Sequence, residues 1–270
     1  MSNTKNNHYL SQCISKNFAK GYNPPTFWEY NPHTKETKPK NITKLFAKRR
    51  AWGQDLETAI SKNFETKLAP VLREYAECEI QRLRIFGPNG ITEPQFNGMV
   101  ITNGEHRTLL SKLCYQTILL QRINSNPDDE IEQLLVDFYS IDNNPLKDFV
   151  LSLHEIHPLK HQIPLILTDG MLFICPVPQN SKKHPYHIIF MFPICEYRFL
   201  LWSSCKTDVE YFCHAYQDIH RLNLCRIDQH NKECRIASPN RAYLDFLIPQ
   251  ITSFSNRRGI KITASRSDAT

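Results

Sequence analysis

The sequence predicts an α+β protein with a helix-rich first half, an antiparallel sheet behind it and helices at the C-terminus. Three observations carry this. Apolar residues recur at helical spacing between residues 54 and 124, four short apolar runs separated by turn residues follow between 163 and 202, and helical spacing returns after Thr207. The chain of 270 residues, 41% hydrophobic and 11% aromatic, is long and apolar enough for a real core and unlike a disordered chain. We read residues 1–256 as one α+β domain, helix-rich over 1–155 and sheet-containing over 156–256, with 257–270 as a flexible basic tail.

In chain order, Leu10, Ile14 and Phe18 recur every four residues and predict a helix from His8 to Phe18, with His8, Gln12 and Lys16 on a neighbouring face. Thr26 to Tyr30 alternates like a strand, Asn31 to Thr34 is a turn, and Glu36 to Lys40 returns as the second strand of a hairpin. A helical pattern runs from Gln54 to about Phe86 with Pro70 inside it, which should kink or divide it. Gly87-Pro-Asn-Gly90 breaks the chain. Helices are expected over Glu105 to Asn124, Asp128 to Tyr139 and Asn144 to His154. Ile163 to Thr168, Met171 to Val177, His187 to Phe192 and Tyr197 to Trp202 read as four strands of an antiparallel sheet. Thr207-Asp208 should cap a helix running to Asn223, and Ser238 another running to Phe254.

Charge is unevenly spread. The formal net charge is +6, but residues 1–50 hold ten Lys/Arg against two acids, and residues 255–270 hold four against one. The body between them is therefore mildly acidic, at −5. Two basic ends on an acidic body suit a phosphate-bearing partner, since Lys/Arg contacts release counterions from nucleic acid. No run of about 18 uncharged apolar residues exists, so no membrane partner is expected. The N-terminus has no apolar signal core, and the 9 Cys form no CxxC pair, which together predict a cytoplasmic protein with buried thiols.

Most motif-like stretches fail on spacing. His154-Glu-Ile-His157 lacks the zinc-protease pattern and is followed by Pro158. Cys213-His214, Cys225, His230 and Cys234 are too irregularly spaced for a zinc ribbon. Glu36-Thr-Lys38 and Glu65-Thr-Lys67 are only half of a metal-dependent nuclease motif. A cofactor is not identified, and a divalent metal has no evident ligand motif.

More informative are polar residues lodged where apolar ones are expected. Gln121 shares a helix face with Leu110, Cys114 and Thr117, and Arg122 continues the face of Tyr115 and Ile118. Asp169 sits between apolar runs, either as a hairpin turn former with Gly170 or as a carboxylate aimed into a cleft. An imidazole, an amide, a guanidinium and a carboxylate (His8, Gln12, Arg122, Asp169) suit proton transfer and phosphate stabilisation in phosphodiester cleavage. Lys16, Lys48, Arg49 and Arg50 supply charge for the substrate backbone, with Tyr9, Gln121 and Asn223 as further candidates for substrate contact.

The opening Asn7-His-Tyr-Leu-Ser-Gln12-Cys-Ile-Ser-Lys-Asn17-Phe18, followed by Phe27-Trp-Glu-Tyr-Asn-Pro-His-Thr34, resembles the bacterial domain-of-unknown-function family numbered 4238. Its members begin His-Tyr-x-x-Gln-x-x-Leu-x-x-Phe and continue with a Trp-x-Tyr-Asp hairpin. Gln121-Arg122 looks like the family's Gln-x-x-Arg-Thr-Pro segment without its spacing or its Thr-Pro, and Thr168-Asp169 like its Thr-Ser-Asp-x-Pro segment without the Pro. Phe192 to Leu201 resembles the family's Pro-Leu-Ser-Pro segment, and Ile219 to Leu224 its helix ending in Asn. The resemblance implies a divergent member and an anti-phage defence protein, but brings no settled activity. The leading expectation is a nuclease of RNA or DNA that arrests growth of the infected cell. In it His8 is the general acid or base, Arg122 stabilises the developing charge, and Asp169 orients His8 or holds a metal. The alternative is a non-enzymatic sensor that recognises a phage component and engages a partner. A third reading is an enzyme acting on nucleotides or proteins, for which the basic ends matter little.

Overall fold

The computed structural model describes residues 6–8, 12–20, 22, 26–49, 65–80, 85–87, 90–92, 96–125, 146–156, 163–178, 186–230, 232 and 234–254. Within them the α+β class is observed, with six α-helices, a five-stranded and a four-stranded antiparallel sheet, and two small ribbons.

The larger sheet has the order β10 (Phe173–Pro178), β11 (Tyr186–Cys195), β12 (Arg198–Ser203), β8 (Val150–Ile156) and β7 (Phe96–Val100). Phe199, Leu200, Leu201 and Trp202 are consecutive in β12 and all fully buried, so this sheet is covered on both faces. Pro193 lies in β11, where it has no N–H for the ladder, and the register with β12 shifts between Pro193 and Cys195 to absorb it. The stretch Asn144 to His154, expected as a helix, instead supplies β8. Leu151, Ser152, Leu153 and His154 are all buried, so the alternation that would mark a strand is erased.

The smaller sheet has the order β3 (Glu36–Asn41), β2 (Thr26–Asn31), β13 (Ile236–Ser238) and β9 (Leu167–Thr168). The β2–β3 hairpin is as expected. Its turn is set by Asn31, whose side chain accepts the His33 N–H at 3.0 Å, and by Lys35 at φ 56°. The apolar run from Ile163 to Thr168, expected in one sheet with its three successors, joins this second sheet instead through β13. Ser238, expected to cap a helix, instead ends the central strand Ile236–Ser238. The helix begins only after Asn240, whose side chain accepts the Tyr243 N–H at 3.0 Å.

The helices are α1 (Gln12–Phe18), α2 (Thr66–Glu77), α3 (Gly104–Ser125), α4 (Lys206–Ala215), α5 (Ile219–Gln229) and α6 (Arg241–Ser253). His8 is not part of α1 as the four-residue spacing suggests. It ends β1 (Asn6–His8), which pairs with β4 (Ala47–Arg49), so a tertiary pairing overrides the local pattern. In α2, Leu68, Val71, Leu72 and Tyr75 form the buried stripe, and Pro70 does not divide the helix, because its exposed position in the second turn removes one bond only. The pattern expected to run to Phe86 stops at Glu77, and β5 (Ile85–Gly87) pairs with β6 (Gly90–Thr92) across the predicted breaker. α3 matches its expected span, opened by Asn103, whose side chain accepts from the N–H groups of Glu105 and His106. The single helix expected from Thr207 to Asn223 is two, because Asp218 caps a new start by accepting the Arg221 N–H at 3.2 Å. The helix expected over 128–139 lies outside the described residues.

One core fills the space among α1, α2, α3, α4 and the larger sheet. A second lies between the smaller sheet and α5 and α6, built from Ile166, Leu224, Ile227, Ile236, Leu244, Leu247 and Ile251. No helix among the described residues is long and apolar enough to cross a membrane.

Candidate functional site

Asp169 directly follows β9 and is tied twice to one residue. Its N–H donates to the Arg235 carbonyl at 3.1 Å, and the Arg235 Nε donates to its Oδ2 at 3.2 Å. Burial pushes the Asp169 carboxyl up, against the opposing pull of Arg235. The Arg235 guanidinium also reaches Glu29, with Nη1 3.9 Å from Oε1, and Lys40 Nζ stands 3.9 Å from the same oxygen. Glu29 is 5% exposed, and its second oxygen accepts the backbone N–H of Phe46 at 3.0 Å. Phe46 is fully buried at φ 52°, and Arg235 lies 5.5 Å from its ring centroid. Two carboxylates and two cations thus meet where the smaller sheet approaches β4. Met171, two residues beyond Asp169, also has a positive φ of 40°. Bulky residues in this region are strained, and strain of this kind gathers at functional sites.

Two expectations from the sequence come together beside this cluster. β1 runs antiparallel to β4 with His8 opposite Ala47, Asn7 opposite Lys48 and Asn6 opposite Arg49. The strand that carries His8 therefore lies along the strand that carries Lys48 and Arg49, and Ala47 follows Phe46 directly. Phe46, whose ring lies under Arg235, immediately precedes Ala47, the backbone partner of His8, but no described contact joins His8 itself to Asp169.

The other candidates are spread out. Gln12 opens α1, and Lys16 is exposed on it. Gln121 and Arg122 lie near the end of α3, which packs on α2, and Leu110, Cys114 and Thr117 of the face assigned to Gln121 are buried. No described contact joins Gln121 or Arg122 to the Asp169 cluster. Tyr9 and Arg50 lie outside the described residues. Asn223 is fully buried and internal. Its Nδ2 donates to the Pro164 carbonyl and to the Tyr243 hydroxyl, each at 2.9 Å, and its Oδ1 accepts the Ile166 N–H at 3.3 Å.

The chain matches no family model, no curated protein and no solved structure.

Three further polar groupings stand out. Glu196, in the β11–β12 turn, accepts a hydrogen bond from the Tyr22 hydroxyl at 3.1 Å, and burial pushes its carboxyl up to about 7. His154 is buried between Ser152 Oγ, 2.9 Å from its Nε2, and Cys213 Sγ, 3.9 Å from its Nδ1. Burial holds this imidazole down to about 4 and the Cys213 thiol up to about 12, so the pair is neutral and lacks the thiolate that nucleophilic attack needs. The third is a relay in the second core. Tyr243 receives the Asn223 amide and so donates to His220 Nδ1 at 3.3 Å, which leaves His220 Nε2 to donate to Gln250 Oε1 at 2.8 Å. Among the described residues no group of three or more His, Cys, Asp or Glu side chains is arranged to hold a metal ion.

Sequence reasoning passes over Glu29, Arg235 and Phe46. A signal for Glu29 is present, because period-two alternation in Thr26 to Tyr30 puts it on the same face as the fully buried Phe27. Arg235 follows α5 in irregular chain, where no periodicity marks it.

Proposed function

We propose that this protein is an anti-phage defence effector that acts on nucleic acid in the cytoplasm, as a nuclease of RNA or DNA whose activity arrests the infected cell. One observation carries this reading: the pairing of β1 with β4, which sets the His8 strand against Lys48 and Arg49 and beside the Asp169–Arg235–Glu29 cluster. On this ribbon Lys48 and Arg49 grip the phosphate backbone, and His8 transfers the proton. Asp169 is committed to Arg235, so its role is to fix that guanidinium at the site's border. Gln12, Lys16 and Tyr9 belong to the same N-terminal segment and contribute substrate contacts. The likeness of that segment to the 4238 family supports the defence setting, with a phage-encoded component as trigger.

The test is incubation of purified protein with single- and double-stranded DNA, RNA and transfer RNA, with and without divalent metal. Cleavage that disappears in His8→Ala, while the melting temperature holds, is the expected result. Intact substrates in every condition, from protein that still protects cells, would overturn it.

A second reading, a non-enzymatic sensor, is favoured by the internal completeness of the charge cluster, in which every carboxylate already has a cation or an N–H. Under that reading His8→Ala lowers the melting temperature and protection together, and a phage component binds without any cleavage.

A further inference from the structure

Arg226 on α5 is 1% exposed and lies in the second core among Ile166, Leu224, Ile227 and Tyr243. Its Nη1 donates to the Ile166 carbonyl at 2.9 Å and approaches Asn223 Oδ1 at 3.5 Å. Its Nε and Nη2 are fully buried and have no hydrogen-bond partner among the described residues. These two nitrogens are the side-on fork of a guanidinium, whose parallel N–H bonds match two oxygens of one carboxylate or phosphate. Burial lowers the guanidinium to about 10, which still leaves it charged at neutral pH. A buried cation without partners for its donors is costly to hold in a fold, which calls for a partner.

Two neighbours, Cys234 and His230, bear both on this fork and on the Asp169-Gly170 turn. Cys234 is within electrostatic range of both Arg226 and Asp169. His230, one residue beyond α5, is within range of Arg226 and packs so closely on Gly170 that a Cβ there would collide with its ring. That ring is held neutral, down to about 4, by burial and then by the Arg226 charge, and is the partly exposed member of the group. A charged fork and a neutral imidazole, with no carboxylate among the described residues bonded to the guanidinium, make a receptor for an anion.

We propose that Arg226 is the centre of a buried oxyanion site, its Nε–H and Nη2–H groups donating to two oxygens of a phosphate or carboxylate group, with His230 and Cys234 as neighbours. The site goes beyond the nuclease reading and is equally compatible with a sensor that responds to a small anion.

The experiment is thermal unfolding of the full chain against rising inorganic phosphate or sodium acetate, with sodium chloride at matched ionic strength as the control. A specific anion raises the melting temperature in proportion to the logarithm of its concentration above Kd. Phosphate alone, or acetate alone, identifies which oxyanion is taken. Arg226→Lys keeps a cation but loses the fork and should bind roughly tenfold more weakly or not at all. Should that variant fail to fold, the arginine Nε–H resonances of the ¹⁵N-labelled native protein decide, because one must shift saturably with phosphate or acetate and stay still with chloride. No rise with either anion, a rise equal to that in chloride, or an equal rise in Arg226→Lys means that water satisfies the fork and overturns the proposal.

Discussion

The Glu29 carboxylate holds the backbone N–H of Phe46 at 3.0 Å, 17 residues along the chain, and so fixes a fully buried phenylalanine in the left-handed region at φ 52°. That conformation costs on the order of 1–2 kcal/mol for an L-residue, and it is tolerated because the carboxylate, the Arg235 guanidinium and the surrounding core all bear on it. Glu29→Gln keeps an acceptor for Phe46 but loses the charge shared with Arg235 and Lys40, and should cost about 1–2 kcal/mol in urea unfolding. Glu29→Ala leaves the N–H without its acceptor and should cost about 3 kcal/mol or more. Equal losses would mean that the Phe46 contact contributes nothing.

Arg235 serves two acids, so the two ends of its ion pair are not equivalent. Arg235→Met leaves Asp169 without its cation and Glu29 with Lys40 alone, and should cost about 2–4 kcal/mol at neutral pH, whereas Asp169→Asn should cost about 1–2 kcal/mol. The double variant should fall short of the sum by about 1 kcal/mol or more, since the residues are in contact. Burial already raises the Asp169 carboxyl, and without Arg235 it rises further. A raised carboxyl contributes stability below its unfolded value and loses it as pH rises, so the Arg235→Met penalty should shrink on acidification towards about pH 4. A penalty that grows on acidification would contradict this pairing.

Glu196 pulls stability in the opposite direction with pH from His154 and His230. The Glu196 carboxyl is raised from 4.5 to about 7, so its contribution is present below about pH 4.5 and is lost by pH 7. His154 and His230 are lowered from 6.5 to about 4, so theirs is present above pH 6.5 and is lost as pH falls to 4. Glu196→Gln, which still accepts from Tyr22, should therefore exceed the native protein in stability at about pH 8 by up to about 3 kcal/mol. The difference should vanish near pH 4.5. Urea unfolding at about pH 4.5, 6 and 8 checks both the sign and the window.

Gly170 is required for room rather than for backbone freedom. A Cβ there collides with three ring atoms of His230, the farthest of them, Cδ2, at 2.8 Å, so Gly170→Ala should cost about 1–3 kcal/mol. Shrinking the neighbour in Gly170→Ala/His230→Ala should return part of that loss. If the double variant is as unstable as the sum of the singles, the ring is not what the glycine accommodates.

The parts of the fold that are legible in the sequence are those with one wet face. The β2–β3 hairpin and α3 expose one side, and their periods survive in the residue order. β8 has Leu151 to His154 buried without a break, so strand and helix cannot be told apart by pattern there. α4 and α5 read as one helix because the break at Asp218 is a capping event rather than a change of period. Of the candidate site, Asp169 is visible as a polar residue at a strand end, and Glu29 can be found from alternation. Arg235 comes from 66 residues away in irregular chain, and Arg226 looks like any polar residue on a helix until the second core closes over it. His8 stands out in the sequence but on the wrong element, because β1 exists only through its pairing with β4.

The two borders of the smaller sheet differ in kind. β9 is two residues long, while β3 carries Lys38, Pro39 and Lys40 along an exposed border, with Lys38 held to Glu36 at 2.6 Å. A short rim offers too few free backbone groups to template a partner, and a rim of proline flanked by lysines repels one. The sheet that bears Glu29 is thereby guarded against growing by edge-to-edge addition, so crowded molecules are kept from fusing along it into aggregates.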